Sequence, residues 1–151
     1  ISSPLLFKLA EAADRVVDQH FMLQKEVVDR MVAAPGSKTY GRLSVMLQYR
    51  YSMQKLFDVP PGAFVPAPKV TSSIVRMRPR PSEELAPVDV ETLGQIVTAA
   101  FGQRRKTLRN ALSAWFTAEE LAALDVRPEA RAETLPVETF VRLAQNVPER
   151  A

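Results

Sequence analysis

What this sequence lacks narrows the class of protein before any motif is considered. Its 151 residues include no cysteine and a single histidine, His20. Disulfides and thiolate metal sites are therefore excluded, and a histidine-based zinc site is not expected. No apolar run approaches the length of a membrane span, and nothing resembles a signal peptide. We therefore expect a cytoplasmic protein with no metal and no membrane partner.

Glycine is also scarce, whereas proline is abundant. None of the five glycines occurs in a G-x-G arrangement. Phosphate-binding and nucleotide-binding loops need closely spaced glycines, so no glycine-rich loop of this kind is expected within this chain. There are 12 prolines, and four of them fall close together at Pro60, Pro61, Pro66 and Pro68.

These four prolines lie in the stretch from Asp58 to Arg80, around which the chain is organised. Each proline fixes its own φ and disfavours helix in the residue before it, which predicts a stiff, extended loop. The loop carries one aromatic side chain, Phe64, and the alternating run Val70–Met77 after it predicts a strand. An exposed ring on such a loop is suited to stack on a flat ligand. A proline-rich turn whose ring fills a core is the commoner arrangement.

Charge is unevenly distributed, although the composition (46% hydrophobic, 25% charged) is that of a globular protein. Residues 1–80 carry 12 Lys+Arg and 6 Asp+Glu, whereas residues 81–151 carry 8 and 11. Within the acidic half, four cations lie within six positions: Arg104, Arg105, Lys106 and Arg109. Such a cluster favours an anionic partner, phosphate first, but a solvated helix face is the commoner explanation.

Hydrophobic periodicity predicts an α/β part followed by a helical part. The strands on either side of the proline loop are expected to pair as an antiparallel ribbon. A linker composition around Arg78–Pro87 sets the expected domains at 1–80 and 89–151, with a linker at 81–88. The predicted elements are a helix begun by Ser3 and Pro4, strand Val16–Gln24 with a buried run Phe21–Leu23, helices Lys25–Ala34 and Tyr40–Tyr51, strands Met53–Val59 and Val70–Met77, and helices Val90–Phe101, Arg104–Trp115, Ala118–Leu124 (with a capping box at Thr117) and from Pro136 onward.

Three separate segments, in order, resemble the rRNA adenine N6-dimethyltransferase family. Phe64-Val-Pro-Ala-Pro-Lys-Val-Thr-Ser-Ser is similar to its Phe-x-Pro-x-Pro-Lys-Val-x-Ser motif. Ile1-Ser-Ser-Pro-Leu-Leu-Phe resembles the segment directly after its catalytic Asn-Leu-Pro-Tyr motif. Ala100-Phe-Gly-Gln-Arg-Arg-Lys-Thr-Leu-Arg-Asn-Ala-Leu resembles the signature of its C-terminal helical domain. The likeness covers essentially the whole chain and favours the bacterial small-subunit branch.

The resemblance implies a fold, a cofactor and an activity. The fold is the C-terminal portion of an α/β Rossmann-like methyltransferase sheet followed by an all-α, rRNA-binding domain. The cofactor is S-adenosylmethionine, whose binding residues, like Asn-Leu-Pro-Tyr, are expected upstream of Ile1. The implied activity of the parent protein is N6-dimethylation of adjacent adenosines near the 3′ end of 16S rRNA, on a pre-30S particle and as a monomer. The chain alone is expected to be inactive.

The resemblance also assigns roles to individual residues. Phe64 is implied to stack on the extruded adenine, a contact worth roughly 1–3 kcal/mol, while Pro66 and Pro68 keep the loop rigid. Ser72 and Ser73 lie on opposite faces of a strand, so at most one of them points to the site. The residues implied to contact rRNA, and so to set position rather than sequence, are Lys69, Arg104, Arg105, Lys106 and Arg109.

Three alternative functions stay open from the sequence. The first is a non-catalytic rRNA-binding module for ribosome assembly, which needs only the basic cluster. The second is a large-subunit rRNA adenine methyltransferase of the same family. The third is a DNA-binding helix-turn-helix around Gly102, which is disfavoured because no base-reading set of Asn and Gln is present.

Overall fold

The computed structural model describes residues 18–103 and 105–149, and the chain divides into two compact units. Unit 1 comprises Ile1–Ala33 and Met46–Leu85, and unit 2 comprises Ala34–Val45 and Ala86–Ala151. The division after Leu85 falls within the predicted linker. The helix predicted at Ser3, and the first two residues of the first predicted strand, lie outside the described residues.

Unit 1 contains a three-stranded antiparallel sheet in the order β1-β3-β2. In the middle strand, Val75 lies opposite Phe21 of β1 and Met77 lies opposite Met53 of β2. The predicted ribbon on either side of the proline loop is therefore confirmed. The strands are β1 (Gln19–Gln24), β2 (Tyr51–Val59) and β3 (Ser72–Pro79), and the helices are α1 (Lys25–Met31), directly after β1, and α2 (Arg42–Arg50), which leads into β2 and contains the boundary between the units.

The two faces of this sheet differ in burial. Ser73, Val75 and Met77 of β3 are buried on the face against which α1 packs. On the other face Met22 and Phe57 flank Ile74 and are 52% and 57% exposed. The buried run predicted for Phe21–Leu23 is therefore wrong. Burial alternates along β1 because only one face of an antiparallel strand of this kind meets the core.

Beyond Ala86, the described elements of unit 2 are helices and turns. They are α3 (Val90–Phe101), α4 (Leu108–Ala111), α5 (Ala118–Ala123) and α6 (Val137–Gln145). The main contact between helices joins α3 to α6, and its buried side chains include Leu93, Ile96, Val97, Phe140 and Leu143.

The segment Ala34–Val45, predicted to belong to the first domain, clusters with these helices instead. Tyr40 is fully buried, and its hydroxyl donates a hydrogen bond to the Leu135 carbonyl at 2.7 Å. Its ring lies 6.0 Å from that of Phe101, which in turn lies 5.6 Å from that of Phe140. Aromatic packing and one buried hydrogen bond therefore join this segment to the helical core.

The helix predicted over Arg104–Trp115 is wrong, and only Leu108–Ala111 is α-helical among its described residues. The amides of Leu108 and Arg109 donate to the carbonyls of Ala130 and Pro128, at 2.8 and 2.9 Å. These two amides of the first turn of α4 therefore find their acceptors in another segment of the chain. Thr107, at φ −73° and ψ 160°, is extended and marks the start of α4. Arg104 itself lies outside the described residues.

The predicted capping box at the start of α5 is confirmed. The Thr117 hydroxyl accepts a hydrogen bond from the Glu120 amide at 3.1 Å, and the Glu120 carboxylate accepts one from the Thr117 amide at 2.8 Å. Two amides that the first turn of a helix leaves without partners are thus satisfied reciprocally.

Candidate functional site

The proline loop, residues 60–71, connects β2 to β3 at one end of the sheet. It begins with one turn of 3-10 helix, Pro61–Ala63. The amides of Ala63 and Phe64 close this turn on the carbonyls of Pro60 and Pro61, at 3.1 and 3.2 Å. Phe64 then adopts an extended conformation, φ −114° and ψ 155°. Its backbone is thus fixed by the turn before it and by the proline that follows Val65.

Most side chains of the loop are exposed, whereas Phe64 is one of three that are partly buried. Val65 is 99% exposed, and Pro66, Pro68 and Lys69 are also exposed. The peptide bond between Val65 and Pro66 is cis. Phe64 is half-buried, so part of its surface remains accessible. It is not among the buried core residues of the described chain.

Five polar side chains form a connected cluster, here called the root cluster, where the loop leaves the sheet. The buried Ser73 hydroxyl donates to Asp58 Oδ1 at 2.6 Å. Lys55 Nζ lies 3.3 Å from Asp58 Oδ1 and 3.3 Å from Asp29 Oδ1. Lys25 Nζ lies 2.6 Å from Asp29 Oδ2. Helix α1 and both strands beside the loop are thereby connected.

The root cluster stabilises the charged forms of its members. The hydrogen bond from Ser73, together with the nearby Lys55 ammonium, lowers the pKa of Asp58. Hydrogen bonds from Lys25 and Lys55 lower the pKa of Asp29, and the bond to Asp29 raises the pKa of Lys55. All three groups are therefore ionised at neutral pH.

Sequence reasoning missed this cluster because its members are dispersed along the chain. Ser73 was considered only as a residue that could face the site, and the structure turns it inward. The available signals were the i,i+4 spacing of Lys25 and Asp29 and the i,i+3 spacing of Lys55 and Asp58. Neither spacing shows that the two pairs meet.

Three of the cations predicted to bind RNA lie in unit 2, around the start of α4. Arg105, Lys106 and Arg109 are all exposed. Arg109 Nη1 lies 3.4 Å from Glu129 Oε1, and these two side chains are 59% and 63% exposed. An ion pair that is so exposed contributes little to stability and leaves the guanidinium accessible to a stronger anion.

The same region contains two cations that sequence reasoning did not include. Backbone hydrogen bonds from Leu108 and Arg109 bring the segment 127–131 beside the start of α4. This segment carries Arg127 and Arg131, both exposed. We call residues 105–109 and 127–131 together the basic region. Its second half is separated in sequence from the first, so no local charge count could join them.

The structure thus brings Phe64, Pro66, Pro68 and Lys69 together on one loop of unit 1, and it places the basic region in unit 2. Within the described residues, no group of three or more His, Asp or Glu side chains is placed to hold a metal ion. None of the described helices combines the length and the hydrophobicity of a membrane span.

The sheet, its helices and the sequence of the proline loop together define the class of protein. A family model described as ribosomal RNA adenine dimethylase matches residues 1–148. The chain therefore belongs to the ribosomal RNA adenine dimethylase family, as the three motifs predicted.

Individual relatives agree with this assignment. The chain is 61% identical, over 143 residues, to ribosomal RNA small subunit methyltransferase A of Bordetella petrii, a match that covers 95% of this chain and 55% of the relative. It is 60% identical, over 147 residues, to the protein of the same name from Aromatoleum aromaticum, covering 97% and 56%. The chain thus spans about half the length of the curated relatives it matches.

Two solved structures have the same fold. A dimethyladenosine transferase from Plasmodium falciparum matches with a TM-score of 0.82 at 27% identity, covering 95% of this chain and 61% of that one. The 23S rRNA methyltransferase ErmE matches with a TM-score of 0.71 at 22% identity, covering 96% and 60%, and indicates the fold alone. The predicted Rossmann-like methyltransferase architecture is confirmed at this level.

The described glycines differ in their surroundings. Gly36, Gly41 and Gly62 border open space, whereas Gly102 packs against the carbonyls of its own helix. These four glycines are not closely spaced in the chain, whereas phosphate-binding loops need closely spaced glycines.

Proposed function

We propose that this chain is the C-terminal part of an S-adenosylmethionine-dependent enzyme that dimethylates N6 of adjacent adenosines in small-subunit rRNA during ribosome biogenesis. The observation that carries the proposal is Phe64, half-buried on a loop that is fixed at both ends and has the family's sequence. The names of the relatives support the same activity. They do not favour the assembly-module, large-subunit or DNA-binding alternatives.

The chemistry explains why a ring is needed on a fixed loop. The lone pair of an exocyclic adenine amine is delocalised into the ring, so the amine must be polarised and aligned with the methyl donor. The base must first leave its stack, at a cost of a few kcal/mol. Stacking on an aromatic side chain returns roughly 1–3 kcal/mol per base. Phe64 supplies one face of this clamp.

Proline makes the clamp more effective because it removes an ordering step. Pro66 and Pro68 restrict the loop before the RNA arrives, so Phe64 does not lose conformational freedom on binding. Lys69 is exposed one residue beyond Pro68 and contacts a phosphate beside the extruded base.

The basic region holds the rRNA by its phosphates. Arg104, Arg105, Lys106 and Arg109 contact the backbone, and Arg127 and Arg131 extend the same surface. Contacts of this kind fix position and orientation and carry no sequence information. They also make affinity depend on salt, because each one releases counterions.

The cofactor supplies the methyl group, and its binding residues belong to the part of the parent protein that precedes Ile1. The proposed domains are a methyltransferase part at 1–80, a linker at 81–88 and an all-α rRNA-binding domain at 89–151, with the segment Ala34–Val45 added to the helical unit. The parent acts as a cytoplasmic monomer on a pre-30S particle.

The test is methyl transfer by the full-length protein. Radiolabelled S-adenosylmethionine is incubated with small-subunit particles that lack the modification. We expect Phe64→Ala to lower kcat about 10- to 100-fold, since about 1–3 kcal/mol of stacking is lost. Val65→Ala is the matched control, because it removes a 99% exposed apolar side chain from the same loop. Equal rates for Phe64→Ala and the wild type would contradict the proposal.

A further inference from the structure

The root cluster has a function beyond stability: we propose that Ser73 and Asp58 are positioning residues that act through Phe64. This inference rests on the proposed function, in which Phe64 stacks on the target base. Neither residue contacts substrate in this proposal. They set the direction in which the loop leaves the sheet, and so the place of the ring.

The first support is the position of the pair on the ladder. Val59 and Ser72 form the last pair before the loop, and Asp58 and Ser73 lie opposite each other one step further in. A side-chain hydrogen bond of 2.6 Å joins this second pair. The two strands are therefore linked by their side chains just before the loop begins, where fraying of the ladder would otherwise start.

The second support is a bulge that brings the needed side chains to one face. In a regular strand, residues three positions apart point to opposite faces. The register shifts between Lys55 and Phe57, so that Lys55 faces Val75 while Asp58 faces Ser73. Both partners in β3 are fully buried. Without this extra residue, Lys55 and Asp58 would be separated by the sheet.

The third support is that the cluster also holds the far end of the loop. Lys25 and Asp29 of α1 pair at 2.6 Å, and Asp29 continues the chain of contacts to Lys55. The backbone amide of Lys25 donates to the carbonyl of Thr71 at 2.9 Å. Thr71 is the last residue before β3, so both ends of the loop are fixed to the same helix and strands.

A loop fixed at both ends holds the Phe64 ring more precisely than a loop that is only joined to the strands by its backbone. Stacking geometry tolerates little displacement, and a shift of about 1 Å in a positioning group can cost about 100-fold in rate. Residues that hold such a group through well-formed hydrogen bonds are what keep it within tolerance. Loss of the Ser73 hydroxyl should therefore disturb the loop more than it disturbs the sheet.

The experiment uses Ser73→Ala in the full-length protein, with two readouts. The first is hydrogen exchange of the Ala63 and Phe64 amides, which close the turn before the ring. We expect their exchange to rise about tenfold, while the amides in the middle of β3 change less. The second is methyl transfer to small-subunit particles, where we expect kcat to fall about tenfold at an unchanged KM for the particle.

Val75→Ala is the control for a merely structural role. It truncates a fully buried side chain of the same strand and leaves the Ser73–Asp58 hydrogen bond in place. We expect a lower melting temperature with wild-type loop exchange and wild-type kcat. Asp58→Asn retains an acceptor for the Ser73 hydroxyl, and we expect it to preserve most of the loop protection that Asp58→Ala loses.

The outcomes separate this inference from the proposed function. Wild-type loop exchange in Ser73→Ala overturns it, whatever the activity. Faster loop exchange with unchanged kcat overturns it as well, because the order of the loop would then have no bearing on the reaction. Equal effects in Val75→Ala would assign the result to stability alone. If the wild-type protein transferred no methyl group, the proposed function would fail, and loop exchange would still decide whether Ser73 fixes the loop.

Discussion

The proline loop and the basic region use charge in opposite ways. At the base of the loop the charged side chains of the root cluster bind one another, and the loop above them carries the half-buried ring of Phe64. In the basic region Leu108 is buried, and the cations around it are exposed. Paired charges give precision of position, whereas exposed charges give attraction to a phosphate backbone. A clamp for one base needs the former, and a contact to many phosphates needs the latter.

The largest expected effect concerns the stability of the helical core of unit 2, the unit that contains the basic region. Phe140 is fully buried with its ring 5.6 Å from that of Phe101, and truncating such a side chain leaves a cavity. We expect Phe140→Ala to lower the free energy of unfolding of unit 2 by about 3–5 kcal/mol. Urea unfolding followed by the fluorescence of Trp115, the single tryptophan, measures it.

Phe57→Ala is the matched control, because this phenylalanine is 57% exposed on the sheet. We expect its effect on stability to stay within about 0.5 kcal/mol. If both substitutions changed the unfolding midpoint equally, burial would not distinguish the two regions.

The second effect concerns the exposed cations. The triple variant Arg105→Ala, Lys106→Ala and Arg109→Ala removes three proposed phosphate contacts. We expect the slope of log affinity against log salt for an rRNA fragment to fall by about 2–3, since each contact contributes about 0.7–0.9. Fluorescence anisotropy at several KCl concentrations measures the slope.

The double variant Arg105→Lys and Arg109→Lys keeps all three charges and serves as its control. Its salt slope should match that of the wild type. An unchanged slope in the alanine variant would show that these cations face solvent and nothing more.

The third effect is acid sensitivity of the root cluster. The pKa values of Asp29 and Asp58 are lowered by their hydrogen bonds to Lys25 and Ser73, respectively. A carboxylate whose pKa is lower in the folded state stabilises that state above its unfolded pKa, and this contribution is lost as the pH falls through the folded value. We therefore expect unit 1 to lose stability below about pH 4.

Amide NMR spectra recorded between about pH 6 and about pH 2.5, a range that spans the ordinary aspartate pKa, test this expectation in each unit. The resonances of β3 should weaken before those of α3, because every described aspartate with a lowered pKa (Asp18, Asp29 and Asp58) belongs to unit 1. Earlier loss of the α3 resonances would show that unit 2, and not unit 1, is the more sensitive to acid.

The smallest effect concerns the cap of α5. Thr117→Ala removes the acceptor for the Glu120 amide, and we expect a loss of about 1 kcal/mol. The melting temperature should fall by about 2–4 °C. Ser113→Ala, a nearby exposed hydroxyl, should leave it unchanged. A larger loss of stability in Ser113→Ala than in Thr117→Ala would show that the capping box is not the cause.

Local patterns in the sequence determined the parts of the molecule whose interactions are local. The prolines around Phe64 predicted a stiff loop, the alternating residues on either side predicted paired strands, and Thr117 predicted a helix start. Each of these features depends on φ restriction, side-chain alternation or a contact within a few residues. Each of the three motifs that identify the family is also an unbroken run of residues.

Only the tertiary structure decided the features whose partners are distant in sequence. Leu108 donates its amide to Ala130, and the helix predicted from Arg104 therefore begins only at Leu108. Tyr40 bonds to Leu135, and this moves its segment into unit 2. Ser73 turns inward, where a bulge in β2 brings the Asp58 carboxylate to meet its hydroxyl. Periodicity and propensity report a residue's neighbours along the chain, whereas buried polar groups must find partners wherever the fold provides them.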